Sequence, residues 1–298
     1  MGTKMRRPGA VPLCAVLAAV CSPARAWWPD GHGILTRAAV QALPPSVPAF
    51  FRAGGSLAAH CSFEPDIAKN RALPGLREGE APEHFMDMEL LRGQPLPATR
   101  YGFVSLCARM RLDPKDVGLL PYAVSEWTGR LALAFAQHRR WPEDRNAQAE
   151  CLVYAGILAH YAQDLCQPLH VTVNYDGKVR PDGTSPHSGI HAKVDALIER
   201  LQLGPAELAA GQRPTPAVPL FEGITREMAA SRSLVNTAYA LERKLSSTRR
   251  RRMAAPEVVA FAAERARESV RFTDALYLAA WATSARVRLP AWLERGGR

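Results

Sequence analysis

The body of this 298-residue chain has no run of 18 or more apolar residues, although its hydrophobic content is an ordinary 47%. A membrane span there is therefore not expected. It shows no credible pair of alternating strands and no internal repeat, which removes sandwiches, barrels and solenoids. It has no acidic surplus either. Lys and Arg number 38 against 28 Asp and Glu, a formal charge of +10 that favours polyanions or anionic membranes without choosing between them. Cysteine is sparse, with six in all. What remains is a chain of helical periods separated by Gly/Pro-rich stretches, which predicts one all-α, multi-helix domain.

The first 26 residues differ from the rest. Lys4, Arg6 and Arg7 make a basic start, Val11 to Val20 is apolar, and Ala24-Arg25-Ala26 has the small-x-small form of a signal-peptidase site. The expectation is a signal peptide over 1–26, cleavage between Ala26 and Trp27, and a secreted or periplasmic domain over 27–298. Cleavage removes four basic and no acidic residues, so the mature chain stays basic. It also removes Cys14 and Cys21, leaving Cys61, Cys107, Cys151 and Cys166. An even count in an exported chain suggests two disulfides. Cys151 and Cys166 share a predicted helix and lie roughly 22 Å apart along it. Each is therefore expected to pair with Cys61 or Cys107.

Helices are predicted from about Asp30 to Leu43, Val47 to Arg52, Tyr122 to Arg139, Glu143 to Leu165, Gly189 to Leu203, Phe221 to Leu245 and Pro256 to Val287. Residues 54–97 read as a long connection with short helical pieces, such as Glu64 to Asn70. Arg249 to Arg252 reads as a solvated turn, and Phe272, Tyr277 and Trp281 as core.

Chemistry concentrates between His160 and Asp195. His160 and Asp164 are four apart at the end of a helical run, so they share a face. Pro168 stops that helix and His170 follows. His191 and Asp195 repeat the spacing on the next helix. One such pair is usually a surface ion pair. Two pairs with a histidine between them suit a divalent metal, zinc first. Further candidates are Asp66 in EPDIAK, His84 in PEHFMDME, and His32, five residues after Trp27. A free α-amino group has a pKa near 8 and can ligate zinc once deprotonated.

Trp27-x-x-x-Gly31-His32, Asp66, His84-Phe85-x-Asp87, His160-x-x-x-Asp164, His170 and His191-x-x-x-Asp195 resemble the zinc-dependent phospholipase C and single-strand nuclease superfamily. The resemblance implies an all-helical fold, three zinc ions and hydrolysis of phosphodiesters by a zinc-activated hydroxide. It implies one zinc on Asp66, His84, His160 and Asp164, and a second on His170, His191 and Asp195. The third would lie on the amine and carbonyl of Trp27, on His32 and on the bridging Asp164. Asp66 is implied as the carboxylate that orients or deprotonates water. Lys69 stands where the nucleases carry an arginine that stabilises transition-state charge, and Arg71 is the alternative source of a guanidinium.

The resemblance favours the nuclease branch, with single-stranded DNA or RNA as substrate and possible 3′-nucleotidase activity. The short Trp27-to-His32 spacing and the final ligand Asp195 match that branch. Phe85 and Asp87 resemble a base-binding pair. Ile67 stands where a choline pocket would carry an aromatic. The alternative is a phospholipase C, since the loop after His170 reads NYDGKVRPDG, unlike the nucleases, and Asp30 sits where phospholipases place a carboxylate near choline. A non-catalytic zinc-binding protein is the third reading, and no protein partner is inferred.

Overall fold

The computed structural model describes residues 29–245 and 251–295. It is all-α, with no strand among the described residues. The expected signal peptide, residues 1–26, and Trp27 lie outside them.

The central element is the helix Arg145–Leu165. Asp144 caps its start by accepting from the amides of Asn146 and Ala147, two of the donors a helix leaves unsatisfied. A short turn through Trp141 joins it to the antiparallel helix Leu120–Arg140, and the long helix Pro256–Ser284 packs across both. The other side is covered by Pro29–Ala42 and Gly55–Cys61. The buried faces carry Leu35, Phe51, Leu131, Phe135, Leu158 and Tyr277 in one continuous core. Tyr277 sits in it by donating its hydroxyl to Ala155 O at 2.8 Å, and Phe272 is buried beside it. Trp281 is only partly buried and lies under the Arg139 guanidinium, 3.4 Å from the ring centre.

Gly156 sets the closest crossing. A Cβ there would lie 2.3 Å from Ala58 O and 2.6 Å from Cys61 Cβ, so any side chain would push the Gly55–Cys61 helix away. That crossing fixes where Ser62, the next residue, presents its carbonyl.

The expected disulfides do not form. Cys61, Cys107, Cys151 and Cys166 are free and buried. Cys61 is level with Gly156, five residues from Cys151 and ten from Cys166, or about 7.5 Å and about 15 Å of helix rise. Cys107 is buried on another helix, Arg100–Met110. The thiols fill core positions as small apolar groups, and burial pushes all four pKa values up.

Two of the expected helices are broken. The stretch expected from Gly189 to Leu203 is two pieces, Ile190–Asp195 and Leu197–Arg200. Phe221 to Leu245 is three pieces, Leu220–Ser233, Val235–Ala240 and Glu242–Leu245. The offsets let Tyr239 reach the 174–177 loop, donating to Asn174 O at 2.6 Å and accepting from Gly177 N at 2.9 Å. The connection 54–97 holds three short helices, Gly55–Cys61, Glu64–Ala68 and Pro74–Glu80, which lead to the 3-10 turn Ala81–His84. Arg100–Met110 carries no strong apolar period, because Tyr101 and Val104 face solvent while Phe103, Leu106 and Cys107 face in.

Candidate metal centre

Four segments converge on the C-terminal end of the central helix. His160 and Asp164, one turn apart, are fully buried there. Gln167 and Pro168 end the helix, and the 3-10 turn Pro168–His170 folds His170 back toward Asp164. The backbone of residues 84–86 clasps this turn: Met86 N donates to His170 O at 2.9 Å, and His170 Nδ1 donates to His84 O at 2.7 Å. His191 and Asp195 arrive on the short helix Ile190–Asp195, and His32 on the first helix.

The rings are held from behind. His160 Nδ1 donates to Ser62 O at 2.8 Å, the carbonyl placed by the Gly156 crossing. His32 Nδ1 meets Gln163 Oε1 at 2.6 Å, and Gln163 Nε2 donates to Thr36 Oγ1 at 3.0 Å. A carbonyl can only accept, so Nδ1 carries the proton in these rings and Nε2 presents a lone pair inward. His84 is turned the other way. Its Nε2 lies 3.3 Å from Glu80 Oε1, which accepts from the Tyr161 hydroxyl at 2.5 Å, and its Nδ1 faces the site.

The inward atoms form three groups, each with ligand atoms within 4.8 Å of one another: His32, His160 and Asp164; Asp66, His84 and His160; and His170, His191 and Asp195. Lone pairs meet lone pairs. His32 Nε2 lies 3.5 Å from Asp164 Oδ1, and His160 Nε2 lies 3.1 Å from His84 Nδ1 and 3.4 Å from Asp164 Oδ2. His191 Nε2 lies 2.9 Å from His170 Nε2 and 3.3 Å from Asp195 Oδ2. His32 Nε2, Asp66 Oδ2, Asp164 Oδ1 and Asp195 Oδ2 are buried with no hydrogen-bond partner. Buried acceptors without donors are costly, and a cation between them resolves the cost. This donor set, imidazole and carboxylate, fits zinc.

Titration agrees. Burial, reinforced by His160, lowers His32 to about 3, and burial also holds His170 and His191 below the ordinary imidazole range. They are neutral near pH 7, the form that ligates metal. Burial opposes charge on Asp164, but His160 and His170 outweigh it and keep Asp164 well below the carboxylate range. Asp195 moves the other way. Burial, with Asp164 and Asp66 nearby, pushes it well up despite the 2.7 Å hydrogen bond from Gln167 Nε2, so its ionised form needs a cation.

His84, His170 and His191, from two of the three groups, line a cleft of about 440 Å³ whose walls also include Lys69, Arg77, Lys115, Phe85, Asp87 and Tyr175. Lys69 Nζ lies 2.6 Å from Asp66 Oδ1 and 3.4 Å from His84 Nδ1. The guanidinium in the cleft belongs to Arg77, which donates to Lys69 O at 2.7 Å, and Arg71 is not among the lining residues. Phe85 and Asp87 do line the cleft. Burial, then Glu89, raises Asp87 to about 7. Gly118 lets the Pro114–Val117 segment reach them: at φ 97°, a Cβ there would fall 2.1 Å from Phe85 O. Asp30 does not line the cleft. It precedes His32 by two residues, about 200° round the helix, so it faces solvent when His32 faces in.

Sequence reasoning missed Gln163, Gln167, Glu80, Tyr161 and Tyr175. Gln163 and Gln167 carry a faint signal, as amides flanking Asp164 in an otherwise apolar run. Glu80 sits one turn before His84. Nothing local marks Tyr161 or Tyr175.

No protein-family model and no curated protein matches this chain. Among solved structures it is similar to the alpha-toxin of Clostridium perfringens isolated from avian strain SWCP, with TM-score 0.42 and 13% identity. The alignment covers 88% of this chain and 65% of that chain.

Proposed function

We propose that the mature chain is an exported, zinc-dependent phosphodiesterase, with three zinc ions held by the groups around Asp164 and by the freed amine and carbonyl of Trp27. The observation that carries this reading is the convergence of buried, unpartnered acceptors in groups whose His84, His170 and His191 line a cleft that also holds Lys69, Arg77 and Lys115. Zinc bound there supplies a Lewis acid for a phosphoryl oxygen and lowers the pKa of water toward neutrality.

The residues divide the remaining work. Lys69, Arg77 and Lys115 draw the phosphodiester anion into the cleft. Asp66 Oδ1 is engaged by Lys69, which leaves Oδ2 as the acceptor that orients the attacking water. Burial raises the Asp66 pKa, but His160, Lys69 and His84 outweigh it and hold Asp66 below the ordinary carboxylate range. Asp66 is thus better suited to orienting water than to keeping its proton. Phe85 and Tyr175 offer ring faces to the leaving group, with Asp87 beside them.

We put phospholipid first as the substrate class, because the exposed aliphatics Ile67, Leu73 and Leu76 share one stretch of chain with the cleft residues Lys69 and Arg77. Single-stranded nucleic acid is the second reading, favoured by the two rings and Asp87, which suit a stacked, hydrogen-bonded base. Zinc-loaded protein assayed on phosphatidylcholine, single-stranded DNA and bis(p-nitrophenyl) phosphate separates them. Lipid turnover above DNA turnover is expected. DNA cleavage without lipid turnover reverses the order, and hydrolysis of none of the three leaves a non-catalytic zinc protein.

A further inference from the structure

We propose that the stretch from Ile67 to Arg77 is an interfacial lip that seats the cleft on an anionic phospholipid surface. The proposal deepens the phospholipid reading and rests on it for its purpose, but it has its own binding test.

Ile67, Leu73 and Leu76 are 57%, 56% and 51% exposed. The other large apolar side chains more than half exposed, Tyr101, Val218, Met253 and Trp292, are scattered along the chain. Single exposed leucines need no explanation, but three aliphatics within ten residues beside a cleft do. Their placement follows from the site. Asp66 turns toward the metal groups on the helix Glu64–Ala68, so Ile67, next on that helix, turns out. Leu73 and Leu76 bracket the start of Pro74–Glu80, the helix that leads into His84. The tip stands in open space: a Cβ built on Gly75 or Gly79 meets nothing within 4 Å.

Charge accompanies the apolar side chains. Arg71 and Arg77 lie in this stretch, with no acidic residue between Asp66 and Glu78, while Lys69 is paired with Asp66 inside the cleft. Arg77 donates to a backbone carbonyl, which does not cancel its charge. Exposed aliphatic side chains interspersed with arginines fit the boundary between acyl chains and anionic headgroups. A nucleic-acid surface would instead present rings for bases to stack on, and this lip has none. Seated this way, the cleft would receive a lipid headgroup directly from the bilayer.

The test is co-sedimentation of the zinc-loaded mature chain with vesicles of equimolar phosphatidylcholine and phosphatidylglycerol. The wild type is expected to bind. L73D/L76D is expected to bind at least about tenfold more weakly, the scale of two half-buried leucines lost from an interface. Its hydrolysis of soluble bis(p-nitrophenyl) phosphate should be unchanged, and V218D, remote from the lip, should bind like the wild type. Gly75→Trp gives a second readout, since its fluorescence should shift to the blue on adding vesicles. Equal binding by L73D/L76D and wild type, or no shift at Gly75→Trp, overturns the proposal. So does a finding that the double variant loses single-stranded DNA binding while keeping vesicle binding. Loss of soluble turnover in the wild type itself would instead sink the phosphodiesterase reading.

Discussion

Two buried polar clusters lie within a few residues of each other at the end of the central helix, and they are built on opposite principles. Around Asp164, imidazoles and carboxylates face one another lone pair to lone pair, with only Lys69 at the margin. Behind it, Cys166 Sγ lies 3.6 Å from Glu227 Oε1, and Glu227 and Glu268 are interleaved with Arg265 and Arg271. That cluster carries cations of its own, Arg265 and Arg271, beside a Glu227 carboxyl that burial and Glu268 hold protonated near neutral pH. The Asp164 cluster lacks them and instead brings together three groups of side chains that could hold a metal ion. Burial alone does not mark a site; convergence of acceptors without donors does.

The comparison is broken most sharply by Asp164→Asn against Glu227→Gln. Removing the shared carboxylate should strip metal and cut phosphodiester turnover at least about a thousandfold, roughly 4 kcal/mol of transition-state stabilisation. Glu227→Gln should leave metal content intact and turnover within about twofold. Asp66→Asn comes next. Turnover should fall about 100-fold or more, the scale of a water-activating group, while part of the metal remains bound. A near-normal rate would remove Asp66 from the mechanism. Gln163→Ala frees the His32 ring and should weaken metal binding by about 10- to 100-fold in chelator competition.

Smaller effects separate scaffold from site. Gly156→Ala forces a Cβ against Ala58 O and should cost about 1–3 kcal/mol in denaturant unfolding. It should also weaken metal binding, because Ser62 O shifts behind His160. The pH dependence of stability reports on Glu227. Burial, then Glu268, raises it to about 8, above its ordinary 4.5. Below pH 4.5 it is protonated folded and unfolded, so it contributes nothing. As pH rises to 8 the unfolded state loses the proton first, and stability falls progressively across that range. Unfolding curves of Glu227→Gln from pH 5 to 9 should be flatter than those of the wild type.

The ligand pairs were legible because a helix turns four-residue spacing into a shared face, as at His160/Asp164 and His191/Asp195. His84 and Asp66 were legible only through family resemblance, since both sit in a region without steady period. The groups that aim the rings were not, because Gln163, Ser62 and Glu80 act through contacts far apart in sequence. The cysteines misled for a physical reason: an even count in an exported chain suggests pairing, but apolar packing buries each thiol in its own niche. The single long helix expected from Phe221 to Leu245 breaks because Tyr239 must reach a loop 65 residues away, a demand no local pattern records.

The most direct test is metal analysis of the purified chain beginning at Trp27, alongside a form with one extra methionine before it. The account predicts three zinc ions in the first, with the extra residue weakening the ion that depends on the Trp27 amine. A mature chain that binds no stoichiometric metal would contradict it.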